Sequence, residues 1–289
     1  NSTNTALNRI SFALPFPTYQ GSLVFGMSYH QSKDLTSIIK FDGFNNGTNS
    51  KIQSLNTNID KDGNTVPYWL FLTDESLNTP INGNLNQSGN TLNSGNIGNW
   101  TLSGAIEVQK NFFVGGNLTI VNGKFESNKE YNEDDSKSLY QGIISPNEPQ
   151  IFDFEFFNFN EIIKWDISGW DAKLGFLYQF EDLARFGATV QFPKTYSVDE
   201  EYNYLASSQF GSGQYYDRSY DDKVKYDIIT PLEISGAFAI NFKGIILSSE
   251  ATLIDYSQLK FSNVENFTEP NQFISEQNRA IKDSLTSVI

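Results

Sequence analysis

Hydrophobic and polar residues alternate with a period of two in eight separate stretches of this chain. In one stretch, the even positions hold Trp100, Leu102, Ile106 and Val108, and the odd positions hold Thr101, Ser103, Glu107 and Gln109. The same alternation occurs at 10–14, 23–30, 113–120, 168–180, 185–192, 232–240 and 245–253. A period of two is typical of β-strands with one apolar and one polar face. The pattern therefore predicts an all-β, antiparallel fold with about eight strands.

Short and long connections alternate between these predicted strands. Short turns are predicted at 15–21, 109–112, 179–183 and 241–244, and long polar loops at 42–99, 126–161 and 204–223, with another beginning near Asn263. A compact soluble domain seldom contains a structureless loop of more than about 15 residues. A transmembrane β-barrel, in contrast, has short periplasmic turns and long extracellular loops. The connections therefore favour an outer-membrane barrel.

Charged residues within the predicted strands occupy only the polar positions. The six charges that follow this rule are Glu107, Asp171, Lys173, Arg185, Glu233 and Glu250. A basic residue that faces lipid at mid-membrane costs about 2–4 kcal/mol, so the polar positions are predicted to line the barrel interior. Trp100, Trp165 and Trp170 near strand ends are typical of an aromatic girdle. The alternative is a soluble β-sandwich with the apolar positions in a dry core.

Composition excludes several classes of function. The 289 residues include 34 acidic and 20 basic residues, a net charge of −14, which argues against a nucleic-acid partner. The absence of cysteine excludes disulfides, thiolate metal sites and cysteine nucleophiles. A single histidine gives no basis for a catalytic triad or a histidine metal site. We therefore expect no enzyme activity, no metal and no cofactor.

The two ends of the chain suggest an interior piece of a larger protein. The chain begins at Asn1 without a signal-like segment, and Glu276–Ile289 is polar with no predicted final strand. We interpret residues 1–289 as one incomplete barrel domain. No run of 18 apolar residues predicts a transmembrane helix.

The pattern predicts four hairpins, at Asn8–Tyr29, Trp100–Phe125, Gly169–Tyr196 and Asp227–Phe261, which include the segments WTLSGAIEVQKNFFVGG, GWDAKLGFLYQ and PLEISGAFA. In this order they resemble the FadL/TodX family of outer-membrane transporters of long-chain fatty acids and hydrophobic compounds. The resemblance implies a fourteen-stranded barrel closed by an N-terminal hatch, with this chain supplying strands two to nine. The hatch and the last five strands have no counterpart in the chain.

The resemblance also implies a function. Members of the family carry hydrophobic molecules passively from an apolar groove among the extracellular loops into the barrel. The chain is therefore predicted to lie in the outer membrane of a Gram-negative bacterium, as a monomeric barrel in contact with lipid and lipopolysaccharide, and to carry long-chain fatty acids or aromatic hydrocarbons. The alternatives are a general or solute-selective porin, and a soluble or surface-attached β-rich adhesin or binding module.

A phenylalanine-rich run in the second long loop is the candidate entrance for the ligand. It contains Phe152, Phe154, Phe156, Phe157 and Phe159. The opposite wall of the entrance is assigned to Leu139, Tyr140, Ile143 and Ile144, on a short helix of the kind that the family has there. This run also argues against a porin, which needs no such loop. In the alternative interpretation, the run extends a strand, and its alternate residues simply pack together.

Two further candidate sites lie in the predicted strands. The family's lateral gate, a kink in its third strand, corresponds to His30, Gln31 and Ser32, which otherwise mark the point where the strand leaves the membrane. Lys173 and Arg185 are candidate partners for a ligand carboxylate, or else for the acidic residues of the same face.

Acidic clusters occur at Glu133–Asp135 and Asp217–Asp222 in the predicted extracellular loops. Carboxylate oxygens suit divalent cations that bridge lipopolysaccharide, but the spacing matches no calcium-loop motif. The alternative is that both clusters are solvated.

Overall fold

A computed structural model of the chain describes residues 8–18, 21–59, 62–242, 244–265, 270–285 and 287–288. Within them the chain is all-β, with thirteen strands in one antiparallel sheet, three α-helices and one short 3-10 helix at Tyr256–Gln258. In chain order the elements are β1 (Arg9–Pro17), β2 (Ser22–Asp34), β3 (Ser37–Asn45), α1 (Lys51–Leu55), α2 (Val66–Trp69), β4 (Leu85–Gln109), β5 (Phe112–Asp134), β6 (Phe154–Phe180), β7 (Ala184–Gln191), β8 (Thr195–Phe210), β9 (Tyr215–Ile229), β10 (Glu233–Phe242), β11 (Ile245–Asp255), β12 (Lys260–Glu265), α3 (Pro270–Ser284) and β13 (Ser287–Val288).

The strands are arranged in eight passes side by side, where a pass is one strand or two strands in line. This number matches the eight strands that the alternation predicts. The central strands β4, β5 and β6 are 25, 23 and 27 residues long. The outer neighbours of β4 and β6 are each divided into two strands. β4 pairs with β2 along one half of its length and with β3 along the other, and β6 likewise pairs with β7 and β8. The half that contains β2, β7 and β10 is called the lower half, and the half that contains β3, β8 and β9 the upper half.

Two prolines interrupt neighbouring passes at the same level. Pro193 separates β7 from β8, and Pro231 separates β9 from β10. A proline has no N–H group for the ladder, so a regular strand cannot continue through it. The passes remain joined beside the prolines, because the Lys194 N–H donates to Thr230 Oγ1 and the Thr230 N–H donates to the Lys194 carbonyl, each at 2.9 Å.

The long loops are shorter than predicted, because the strands continue into the segments that were assigned to loops. β4 begins at Leu85, β5 extends to Asp134, and β8 and β9 are separated only by residues 211–214. Asparagine, serine and glycine are depleted in strands, so the sequence of 85–99 gives little strand signal. The ladders to β3 and β5 nevertheless hold this segment in the sheet. The turns predicted at 109–112 and 179–183 are confirmed, whereas those at 15–21 and 241–244 lie partly outside the described residues.

The end of the chain differs from the expected irregular polar segment. It contains α3 and the short strand β13, which pairs with β11 at Ile254 and Asp255. The Asn278 side chain accepts a hydrogen bond from the Phe261 N–H at 2.7 Å and donates one to the Phe261 carbonyl at 2.9 Å. An amide side chain of α3 thus satisfies part of the β12 edge. No helix in the described ranges has the length and apolar character needed to cross a membrane.

Within the described residues the sheet is open. β1 pairs with β2, and at the other side β11 pairs with β10 and with two residues of β13. The described part of the chain contains no pairing between β1 and β11.

Candidate functional site

One face of the lower half is covered by exposed apolar side chains, which we call the apolar belt. Its members include Phe12, Leu14, Phe25, Leu102, Ile106, Leu118, Leu174, Phe176, Phe186, Ile234, Phe238 and Leu253. Tyr29, Trp100 and Trp170 border the belt towards the upper half, in one cross-strand row. Monomeric soluble proteins rarely expose a continuous apolar surface of this extent.

The opposite face of the lower half is polar. The strand register places all six predicted charges on it: Glu107, Asp171, Lys173, Arg185, Glu233 and Glu250. The predicted separation of apolar and polar residues between two faces is therefore confirmed.

Lys173 and Arg185 share the polar face but lie far apart along it. Arg185 pairs with Gln179, six residues along β6 from Lys173, which corresponds to about 20 Å. Gln191 on β7 pairs with Lys173 on β6 and with Glu233 on β10. The Glu233 carboxylate therefore lies in the same cross-strand row as Lys173, two strands away. The two basic residues therefore do not form one site, and the surroundings of Lys173 fit a role in charge pairing.

The described residues of 46–84, which we call the cap, fold over the upper half of the same polar face. Ser50 caps α1 by accepting a hydrogen bond from the Gln53 N–H, and Thr65 caps α2 through the Tyr68 N–H. An apolar core joins the cap to the sheet. It contains Ile52, Leu55, Leu70, Leu72 and Ile81 of the cap with Leu85, Ile144, Ile151, Phe154, Phe157, Phe159, Ala206 and Phe210.

Most of the phenylalanine-rich run lies in this core rather than at an entrance. Phe154, Phe157 and Phe159 are at most 4% exposed, Phe156 is half-buried, and Phe152 is 42% exposed. A bulge in the pairing with β8 between Phe154 and Phe156 brings Phe154 onto the same face as Phe157. The run extends β6, so its placement matches the strand-extension interpretation.

The opposite wall predicted for the entrance is not helical. Leu139 and Ile143 are exposed, Ile144 is buried, and Ile143 forms an isolated bridge with Phe152. The segment is irregular because the Asp135 carboxylate accepts the Leu139 and Tyr140 N–H groups in a turn.

Glu133 joins the cap to the sheet. Its fully buried carboxylate accepts hydrogen bonds from the Lys51 N–H at 2.6 Å, the Ile52 N–H at 3.3 Å, Gln87 Nε2 at 2.8 Å and the Tyr131 hydroxyl at 3.0 Å. Glu133 of the first acidic cluster is therefore buried and hydrogen-bonded. The alternative that this cluster is simply solvated is wrong. Nothing local in the sequence indicated this role, because the Lys51 contact spans 82 positions.

A cleft of about 630 Å³ separates part of the cap from the upper sheet. Its cap side includes Leu55, Ile59, Val66 and Trp69, and its sheet side includes Phe159, Tyr202, Tyr204, Arg218 and Tyr220. None of the sequence patterns described above predicts this cleft. The available signal was the two-residue spacing of Tyr202 and Tyr204 and of Arg218 and Tyr220, which places each pair on one face of a strand.

The predicted lateral-gate residues coincide with a β-bulge. The pairing of β2 with β4 shifts between Gln31 and Lys33, which leaves Ser32 as the extra residue. Its hydroxyl donates to the Ile97 carbonyl at 3.1 Å, and His30 Nε2 lies 3.2 Å from Asn99 Nδ2. The ladders on both sides of β2 are continuous up to His30, so a lateral opening here remains a hypothesis.

Burial raises the pKa of the Tyr131 and Tyr202 phenols in the upper half, and the carboxylates of Glu133 and Glu161 that accept their hydroxyls add to the shift. A tyrosine whose pKa is higher in the folded than in the unfolded state stabilises the fold. This stabilisation is complete when the pH is below the unfolded-state pKa of about 10, and it is lost as the pH rises above that value. We expect the free energy of unfolding to fall as the pH rises above about 10, as measured by urea titration. A Tyr131→Phe, Tyr202→Phe variant should lose less stability over this range, and an equal loss in both proteins would contradict the assignment.

Comparison of the chain with protein-family models, with curated proteins and with solved structures found no match. Its function is therefore inferred from the apolar belt, the polar face and the capped cleft.

Proposed function

We propose that the lower half of the sheet spans the outer membrane as part of a β-barrel that carries hydrophobic compounds passively. The observation that carries this proposal is the apolar belt opposite a face with six charges. In a soluble protein the apolar face is buried, whereas a transmembrane barrel turns it outward to lipid. Trp170 to Phe180 in β6 covers about 33 Å, which at a strand tilt of about 40° gives a band about 25 Å high.

A sheet in lipid needs both edges paired, because unsatisfied backbone groups in hydrocarbon cost several kcal/mol each. We therefore propose that β1 and β11 have strand partners in the native protein. The FadL/TodX resemblance supplies a specific form of this arrangement, a fourteen-stranded barrel.

Hydrophobic cargo is supported by the cap and by the resemblance. A water-filled porin has no need for an apolar core of thirteen residues over its polar face or for a cleft lined by aromatic rings. Transport would involve no chemical step. Cargo would pass from the capped upper half along the polar face to the lower half through a spontaneous opening.

The proposal is tested with the native protein, expressed from its complete gene and refolded into liposomes. Uptake of a labelled long-chain fatty acid or of naphthalene is followed alongside liposome swelling in a small sugar. We expect uptake of at least one hydrophobic probe without swelling. Swelling without such uptake would indicate a porin, and failure to insert into liposomes would favour a soluble binding module.

A further inference from the structure

The cleft between the cap and the upper sheet has the size of a small-molecule site. Its volume of about 630 Å³ lies within the range of about 300–1,000 Å³ typical of ligand pockets. It lies on the capped face, away from the apolar belt, so the belt's proposed contact with lipid does not account for it.

Near-parallel aromatic rings form one wall of the cleft. Phe159 and Tyr204 have ring centroids 5.4 Å apart with an interplanar angle of 27°, and Tyr204 and Tyr220 are 5.6 Å apart at 23°. Trp69 of the cap lines the same cleft. Because these rings stack on one another, a flat aromatic ligand would meet their edges or the outermost face of the row, and such edge-to-face or offset contacts contribute about 0.5–1.5 kcal/mol per pair beyond area burial.

Two cations lie over rings of residues that line the cleft, although Lys51 itself is not among the lining residues. The Arg218 guanidinium is 4.8 Å from the centroid of a Trp69 ring, and Lys51 Nζ is 5.2 Å from that of Phe159. A ring holds a cation in place through its quadrupole without cancelling the formal charge. Arg218 lines the cleft, and its planar fork of N–H donors matches the geometry of a carboxylate.

The carboxylates of the aromatic wall are already engaged. Glu161 accepts hydrogen bonds from Lys129 Nζ at 2.7 Å and from the Tyr202 hydroxyl at 3.2 Å. Asp222 accepts the Tyr220 hydroxyl at 3.0 Å and the Lys223 N–H. Among the described residues that line the cleft, Asp62 is the one acid and Arg218 the one cation. Arg218 is therefore the group that favours a ligand with an anionic end.

We propose that this cleft binds a planar aromatic compound that carries one carboxylate, with its ring packed against the Tyr204 and Tyr220 wall and its carboxylate on Arg218. The inference extends the proposed function: the cleft would be the first binding site for cargo, and it selects flat anionic rings over alkyl chains.

The test measures binding to the native protein in detergent by calorimetry, without any transport step. The probes are 2-naphthoate, the neutral 2-naphthamide of nearly the same shape, and decanoate. We expect 2-naphthoate to bind about tenfold more tightly than 2-naphthamide and than decanoate. Arg218→Gln should remove the difference between the two naphthalene probes, and Tyr220→Leu should weaken both. Arg279→Gln, a loss of the same charge on the exposed surface of α3, serves as the control and should change neither.

Three results would overturn the proposal. These are no binding of 2-naphthoate, binding that Arg218→Gln leaves unchanged, and decanoate binding as tight as that of 2-naphthoate. Because Tyr220 is 47% exposed, its replacement should leave the fold intact, and the circular dichroism of each variant checks this. If liposome uptake succeeds while these binding measurements fail, only the cleft assignment falls. If binding succeeds while uptake fails, the cleft is a binding site in a protein that does not transport.

Discussion

Replacing Glu133 with alanine is expected to release the cap from the sheet. The substitution leaves four buried or half-buried donors without their acceptor: the Lys51 and Ile52 N–H groups, Gln87 Nε2 and the Tyr131 hydroxyl. Hydrogen bonds to a charged group contribute about 1.5–3 kcal/mol each, but partial relaxation lets water reach some of these donors. We expect a loss of about 3 kcal/mol in the free energy of cap opening. Hydrogen exchange at the amides of α1 and α2 should then be about 100-fold faster.

Glu130→Ala is the matched control for this experiment. Glu130 lies three residues earlier on β5, is exposed, and occupies the opposite face. Exchange in the cap should be unchanged in this variant. Equal acceleration in both variants, or none in Glu133→Ala, would show that the apolar core alone holds the cap.

An arginine placed on the apolar belt is expected to destabilise the protein in a bilayer by about 2–4 kcal/mol. Ile106 lies midway along the belt, and its neighbour Ala105 points to the polar face, where its partners are Val24 and Gly115. We expect Ile106→Arg to incur this cost because its charge would lie in hydrocarbon. Ala105→Arg should cost less than about 1 kcal/mol, because its side chain would extend into a polar interior.

The measurement is the free energy of unfolding in lipid vesicles for both variants. A soluble protein whose apolar face is exposed to water would show the opposite order, since Ile106→Arg would then replace an exposed apolar side chain with a soluble one. Equal stability of the two variants would therefore remove the main support for a membrane location.

The strand alternation was sufficient to predict the class of fold and the assignment of residues to its two faces. Ile106 and Glu107 show why: in a strand, neighbouring residues point to opposite faces, so each position of a paired strand is assigned by parity alone. Directly paired residues on neighbouring strands point their side chains to the same face. The strand register therefore gives the same assignment of faces across all eight passes.

The upper half was less predictable because its structure depends on contacts distant in sequence. Residues 85–99 are poor strand formers that their neighbours hold in the ladder, and the bulge beside Phe154 changes its parity. The Lys51–Glu133 and Leu70–Ser208 hydrogen bonds join residues 82 and 138 positions apart. No local pattern indicates such contacts, and the cleft depends on them.

The length of the central strands has a consequence for what the cell exposes. The 27 residues of β6 extend for about 90 Å, or about 70 Å in height at a tilt of about 40°. If the lower half spans the outer membrane as proposed, about 25 Å of that height would lie in the bilayer, about 45 Å of wall would stand outside it, and the cap would lie near the tip. The cap would thus be the first part of the protein that an antibody or an added protease meets on an intact cell.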